Sequence, residues 1–162
     1  VEPVRDMEAS VMDRAGDGFD ALVLRYGFFY GPGTWHAPGG PMFELVRRRR
    51  LPMIGDGAGR WSFVHIDDAA EATVLALQHG RSGVYNICDD DPVPMSQWLP
   101  ELASLLGAKP PRRVPAWAAR LLAGDAVVHY ATRLPGNANG RAKQALGWRP
   151  RDRRTGFAEV AN

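Results

Sequence analysis

Three short apolar runs constrain this chain most. Ala21–Arg25, Trp61–Ile66 and Val84–Cys88 each have the length of a strand, and helical patterns separate them. Pro3–Ala15 reads as the first helix. Pro3 suits its first turn, Val4, Met7, Val11 and Met12 form an apolar stripe, and Gly16 suits the stop. Pro41–Arg50 reads as a second helix. Ala69–Gln78 reads as a third, with Asp67 or Asp68 as its cap and Gly80 beyond its end. Strands that alternate with helices imply an α/β layer with a parallel sheet.

The connections are equally legible. Gly27–Gly40 is a Gly- and Pro-rich loop carrying Phe28, Phe29, Tyr30 and Trp35. Leu51–Ile54 is short and extended, and Gly55–Gly59 (Gly-Asp-Gly-Ala-Gly) is a turn. Ser96 opens a helix that ends near Gly107, in which Pro100 is tolerable only in the first turn. Trp117–Ala123, a segment near Ala126–Ala131, and Arg141–Leu146 read as short helices, the last capped by Asn139 and stopped by Gly147. Residues 1–95 thus read as the last strands and helices of a parallel sheet with an inserted loop, and 96–162 as a mostly helical region.

Charge and cysteine exclude more than they assign. Twenty basic and 18 acidic residues leave a formal +2, and Lys109 and Lys143 are the two lysines among the basic ones. The one basic cluster, Arg47 to Arg50, reads as the solvated end of a helix, where positive charge suits the dipole; polyanion binding is the alternative. No nucleic-acid partner is expected. A single cysteine, Cys88, forbids an intrachain disulfide, reads as a core residue, and fits a cytoplasmic home. No apolar run approaches the roughly 18 residues of a membrane span. The first residue is Val and falls just before a helix, which reads as a truncated or processed start.

Four segments, in order, resemble one family. They are Leu22-Val-Leu-Arg-Tyr-Gly-Phe-Phe-Tyr-Gly-Pro-Gly33; Gly55-Asp-Gly-Ala-Gly-Arg-Trp-Ser-Phe-Val-His-Ile-Asp-Asp-Ala-Ala70; Gly83-Val-Tyr-Asn-Ile-Cys88; and Ala142-Lys-Gln-Ala-Leu-Gly-Trp-Arg-Pro150. Together they resemble the C-terminal half of the NAD-dependent epimerase/dehydratase family of extended short-chain dehydrogenase/reductases. The resemblance implies the C-terminal part of a Rossmann-like parallel sheet plus a small, mostly helical substrate-binding region. It also implies hydride transfer with NAD or NADP, and an acid/base Tyr-x-x-x-Lys pair. A lysine and an oxidised nicotinamide would lower the tyrosine's pKa from about 10 by charge.

Two family motifs are incomplete in this sequence. No G-x-x-G-x-x-G follows a strand and opens a helix, so the phosphate-binding half is expected as a missing partner. The Tyr-x-x-x-Lys helix matches residues 1–16, where Glu8 places the lysine position at Val4. No catalytic residue is therefore assigned, and the chain alone is expected to be inactive and to bind dinucleotide weakly or not at all. Val4 also keeps open a non-catalytic dinucleotide-binding sensor or scaffold of the same fold.

The cofactor-side candidates are Tyr26, Gly27 and Phe28, which match the family's nicotinamide-side turn. The substrate-side candidates are Trp35, Arg60, Trp61 and Arg133. Sugar-nucleotide epimerases often carry an Asn at the position of Phe28 and a diphosphate-gripping Arg at that of Trp61. An indole offers one N–H where a bidentate grip needs a guanidinium. Arg60, next to Trp61, points to the other face of a strand. A small hydroxyl- or carbonyl-bearing substrate in an apolar pocket is thus expected, not a sugar diphosphate. Trp61 also fits a core strand position, and the loop with Trp35 and His36 fits either a lid or a merely mobile segment. Asp68 is read as a helix cap, His65 as a strand residue and Asp89-Asp90-Asp91 as a solvated loop; no metal is expected. An uncovered sheet edge predicts a homo-oligomer or an altered packing of the first helix.

Overall fold

The computed structural model describes residues 2–16 and 18–161. Val1, on which the reading of a processed start rests, lies outside the described residues. The elements in order are α1 (Glu2–Met12), β1 (Leu22–Tyr26), β2 (Phe28–Tyr30), α2 (Pro41–Arg47), β3 (Met53–Ile54), β4 (Arg60–Trp61), β5 (Phe63–His65), α3 (Ile66–His79), β6 (Gly83–Ile87), β7 (Val93–Pro94), α4 (Met95–Leu105), β8 (Arg113–Val114), α5 (Ala116–Thr132), α6 (Gly140–Leu146) and α7 (Arg153–Ala161).

Three of the four strand pairs are parallel. β1 runs beside β6, with Leu22 opposite Gly83 and Tyr26 opposite Ile87. β2 runs beside β5, and β3 beside β8, while β4 and β7 are antiparallel. β1 and β2 are one chain direction interrupted at Gly27. The Gly27 amide donates to Ile87 O at 2.9 Å, and the next amide, Phe28, donates to Ser62 O at 2.8 Å. At that single peptide the chain passes from one ladder to the other. The expected strand Trp61–Ile66 is split at Ser62, because Arg60–Trp61 pairs antiparallel with β7 whereas Phe63–His65 pairs parallel with β2, and Ile66 opens α3.

Two cores flank this junction. One is aromatic, built on Tyr30, Phe43, Trp61, Phe63, Trp98 and Phe157. The other is small and aliphatic: Ala69, Ala72 and Ala76 of α3 let the helix lie close on Tyr85 and Ile87, with Leu146 and Trp148 closing it. The Trp148 indole donates to Asp68 O at 3.0 Å, and Asp68 accepts from Arg151 N and Nε, both at 2.9 Å. The segment after Gly147 is thereby tied to the first turn of α3. Gly147 itself adopts φ 67°, a left-handed stop that costs a glycine little. We expect Trp148→Phe to lower stability by about 1–2 kcal/mol, the cost of a lost buried donor. Urea melts check this, and an unchanged midpoint would remove the indole bond from the account.

Several sequence expectations are corrected. The cap of α3 is His65, whose Nδ1 accepts from Asp67 N at 3.1 Å; Asp68 is spent on Arg151 instead. Asn139 makes no side-chain cap bond, since its amide donates to Cys88 O and Asp90 Oδ1. Pro100 sits in the second turn of α4, beyond the first turn to which it was expected to be confined. The loop at 28–30 forms β2 because its amides meet β5. The apolar stripe of α1 faces solvent: Val4, Met7 and Val11 are exposed, and the helix is held to β1 by an ion pair between buried Glu8 and Arg25. Among the described residues, β1 has a ladder partner on one side only. Asp89 is buried, so the acidic run is not wholly solvated.

Candidate functional site

The peptide at Gly27 leaves a cavity on each side of it. One, of about 430 Å³, is lined by Tyr26, Gly27, Phe28, Arg60 and Ser62 from the two ladders, and by Tyr130 and 134–137 from the far end of α5 and the loop after it. The other, of about 450 Å³, is lined by Gly27, Phe28, Phe29, Gly33, Thr34, Trp35, His36 and Ile66. Gly27 and Phe28 belong to both. A Cβ on Gly27 would stand 2.6 Å from Ser62 O, so a side chain there has no room.

Phe28 is held as a fixed wall. Its ring stacks on Trp61 at 4.1 Å and 26° and meets Tyr130 edge-on at 6.2 Å. Trp61 is buried, donates from its indole to Tyr130 O at 2.9 Å, and lines neither cavity; it supports Phe28 from behind. Arg60 points the opposite way, as strand alternation requires, and lines the first cavity, while its guanidinium donates to Pro92 O. Arg133 is exposed at the end of α5 and lines neither cavity. The structure thus brings Tyr26, Gly27, Phe28 and Arg60 together, sets Trp35 across the turn from them, and leaves Trp61 behind and Arg133 apart.

Ser62, Tyr130 and Asn137 also reach the first cavity, and the sequence reading missed them. Ser62 Oγ accepts from Asn137 N at 2.8 Å, which fastens the Leu134–Asn139 loop over the strand break. The Pro-Gly-Asn composition of that loop, just before a helix, was the available signal. In the second cavity, His36 Nδ1 bonds Phe29 O at 2.9 Å while burial holds its pKa below the usual histidine value. The imidazole is therefore neutral near pH 7 and serves as packing rather than as a cation.

Neither cavity includes the Gly55–Gly59 turn. In the Gly55–Gly59 turn, the amides of Gly55, Gly57, Ala58 and Gly59 donate to Val114 O, Ile54 O, Asp56 Oδ1 and Ala131 O. A phosphate cradle needs such amides free. Side chains at Gly57 and Gly59 would strike α4 and α5, so these glycines permit packing. Among the described residues, no group of His, Cys, Asp and Glu could hold a metal ion.

The profile of the NAD dependent epimerase/dehydratase family matches residues 6–88, slightly more than half of the sequence. The chain belongs to this family. It is 44% identical over 93% of its length to a 3-diazoavenalumate denitrifying reductase of a Streptomyces species, covering 48% of that protein. It is 30% identical over 54% of its length to the 2-alkyl-3-oxoalkanoate reductase of Stenotrophomonas maltophilia, covering 28% of it. A human epimerase family protein crystallised with NADPH shares the fold, with a TM-score of 0.73 at 23% identity over 90% of this chain and 50% of that one. The chain therefore spans about half the length of the first reductase and less of the second. The Rossmann-like α/β architecture expected from sequence is the observed one.

Proposed function

We propose that this chain forms the substrate side of an NAD(P)-dependent reductase acting on a small carboxylate with an apolar body. The carrying observation is the first cavity, which Arg60 lines together with Phe28, stacked on Trp61, and the Gly27 turn. A carbonyl substrate with a carboxylate tail would place its anion on Arg60 and its apolar part against Phe28 and Tyr130. Both relatives named above are reductases of substrates named as carboxylates, which supports this choice over a sugar diphosphate. A bound nicotinamide supplies the hydride. Tyr26, Gly27 and Phe28 would hold one face of its ring, and the loop with Trp35 would exclude water. The chain's own residues do not provide the acid/base pair.

The phosphates and the rest of the dinucleotide belong, in this proposal, to a second half that lies against the exposed stripe of α1 and the open edge of β1. Calorimetry with NAD and NADP tests it, on this chain and on a protein extended upstream by such a half. Binding by the extended protein alone is expected; tight binding by this chain would overturn the division. In the extended protein, Arg60→Ala should weaken a carboxylate substrate about tenfold and spare its methyl ester. Equal loss for both would remove Arg60 from recognition. Val4 at the lysine position favours a second reading, a binder without catalysis. Turnover by the extended protein with any carbonyl substrate would exclude that reading.

A further inference from the structure

The four arginines after α2 do not stand alone. Arg49 Nε donates to Pro110 O at 2.7 Å, and Met53 N donates to Arg112 O at 2.8 Å. The β3–β8 pair thus sets Arg47 to Arg50 beside Lys109, Arg112 and Arg113, all exposed except half-buried Arg49. Glu44 pairs with Arg47 and Arg48; among the described residues, no ion pair engages the other five. Seven of the 20 basic residues share this surface, on a chain of formal charge +2.

α5 rises from the end of this surface. Seventeen residues of straight helix would span about 24 Å. Yet Ala116 Cβ and Thr132 Cγ2, at its two ends, lie 3.5 and 3.2 Å from the point a side chain would occupy at Gly55. The helix is therefore folded back on itself at Gly124, whose φ of 84° and ψ of 171° no helix contains. Its two arms stand on the Gly55–Gly59 turn, and its tip projects. Leu121 and Leu122 near the tip are 80% and 87% exposed, and Trp117 on the rising arm is 67% exposed. Arg120 and Asp125, paired at 2.6 Å, neutralise each other across the bend.

We propose that this hairpin and the basic surface at its base form a docking site for an anionic lipid surface. An arm of about eight residues is about 12 Å tall, enough to cross the headgroup layer and bring Leu121 and Leu122 to the acyl boundary. The arginines at the base then lie level with the lipid phosphates. A nucleic acid would answer the charge but leave the leucines in water. A second copy would bring two basic surfaces together against their repulsion. Among the described residues no helix is long and apolar enough to cross a membrane, so the proposed contact is peripheral.

Co-sedimentation with vesicles tests this. We expect the chain to bind phosphatidylcholine vesicles containing about 30% phosphatidylglycerol at least about tenfold more tightly than phosphatidylcholine alone, and to lose binding as salt rises. Leu121→Asp with Leu122→Asp, and separately Arg112→Glu with Arg113→Glu, should each weaken binding about tenfold or more at unchanged circular dichroism. Equal binding to both vesicles, no binding, or variants that bind like the original chain would overturn the proposal. So would a dimer in light scattering that the leucine variant disperses, which would give the tip to a second copy. Binding to RNA but not to vesicles would overturn it as well.

Discussion

Asp89→Asn will stabilise this protein at pH 8 by about 2–3 kcal/mol and change it little at pH 4. Asp89 is buried, and burial pushes its pKa up to about 7. A backbone hydrogen bond from Phe63 and, less, the charge of Arg153 oppose the shift, while Asp91 and Asp90 add to it. The folded state thus binds this proton more tightly than the unfolded chain, where the group titrates near its ordinary value of 3.8. The stability linked to it is fully present below that value and is lost as pH rises towards 7. His36 and His65, both held low by burial, act in the opposite direction, so the wild-type profile alone does not isolate Asp89. The difference between Asp89→Asn and the original chain does. Denaturant melts at pH 4, 6 and 8 give it, and parallel profiles would show that Asp89 reaches water or a partner.

Asp89 also shows where sequence reading stops. Asp89-Asp90-Asp91 before a proline looks like a solvated loop, and the acidic pattern says nothing of which residue turns inward. The inward turn follows from strand geometry. Asp89 N donates to Phe63 O, which carries the β6 chain two residues further beside β5 and leaves that side chain buried. Asp90 then points out, to Lys143 and Asn139. Contacts made across 50 residues leave no local trace.

The strands and helices were legible because their periodicity is local. So was the turn at Tyr26, Gly27 and Phe28, because the three are consecutive. Arg60 and Trp61 could be assigned to opposite faces from strand alternation alone, and they take opposite faces. What was illegible is what packs from afar. Tyr130 and Asn137 enter the cavity only because the folded-back α5 returns to the Gly55–Gly59 turn. The cap of α3 was misplaced by two or three residues because an imidazole can accept an amide as a carboxylate does. The apolar stripe of α1 was legible, but not what covers it: among the described residues of that helix only Glu8 is buried.

Gly27→Ala will be the most damaging small substitution at the site, costing about 3 kcal/mol and lowering the melting temperature by roughly 6–10 °C. The added methyl meets Ser62 O at 2.6 Å and the Ser62 and Phe63 carbonyl carbons at 3.1 Å, all backbone. No rotamer change relieves it, so β2 must part from β5, and the Phe28 N to Ser62 O bond stretches or breaks. Because Phe28 walls both cavities and stacks on Trp61, the same movement alters the site. A structural methyl and a functional one are therefore inseparable here, and a change in tryptophan fluorescence should accompany the loss of stability. Gly140→Ala is the control. It opens α6 with nothing within 4 Å of the added carbon, and should be neutral or slightly stabilising. If Gly27→Ala melted with that control, the chain would pass Ser62 less closely than described. Glycine at 27 would then serve what approaches from outside, which in the proposed function is the nicotinamide ring, and not the strand behind it.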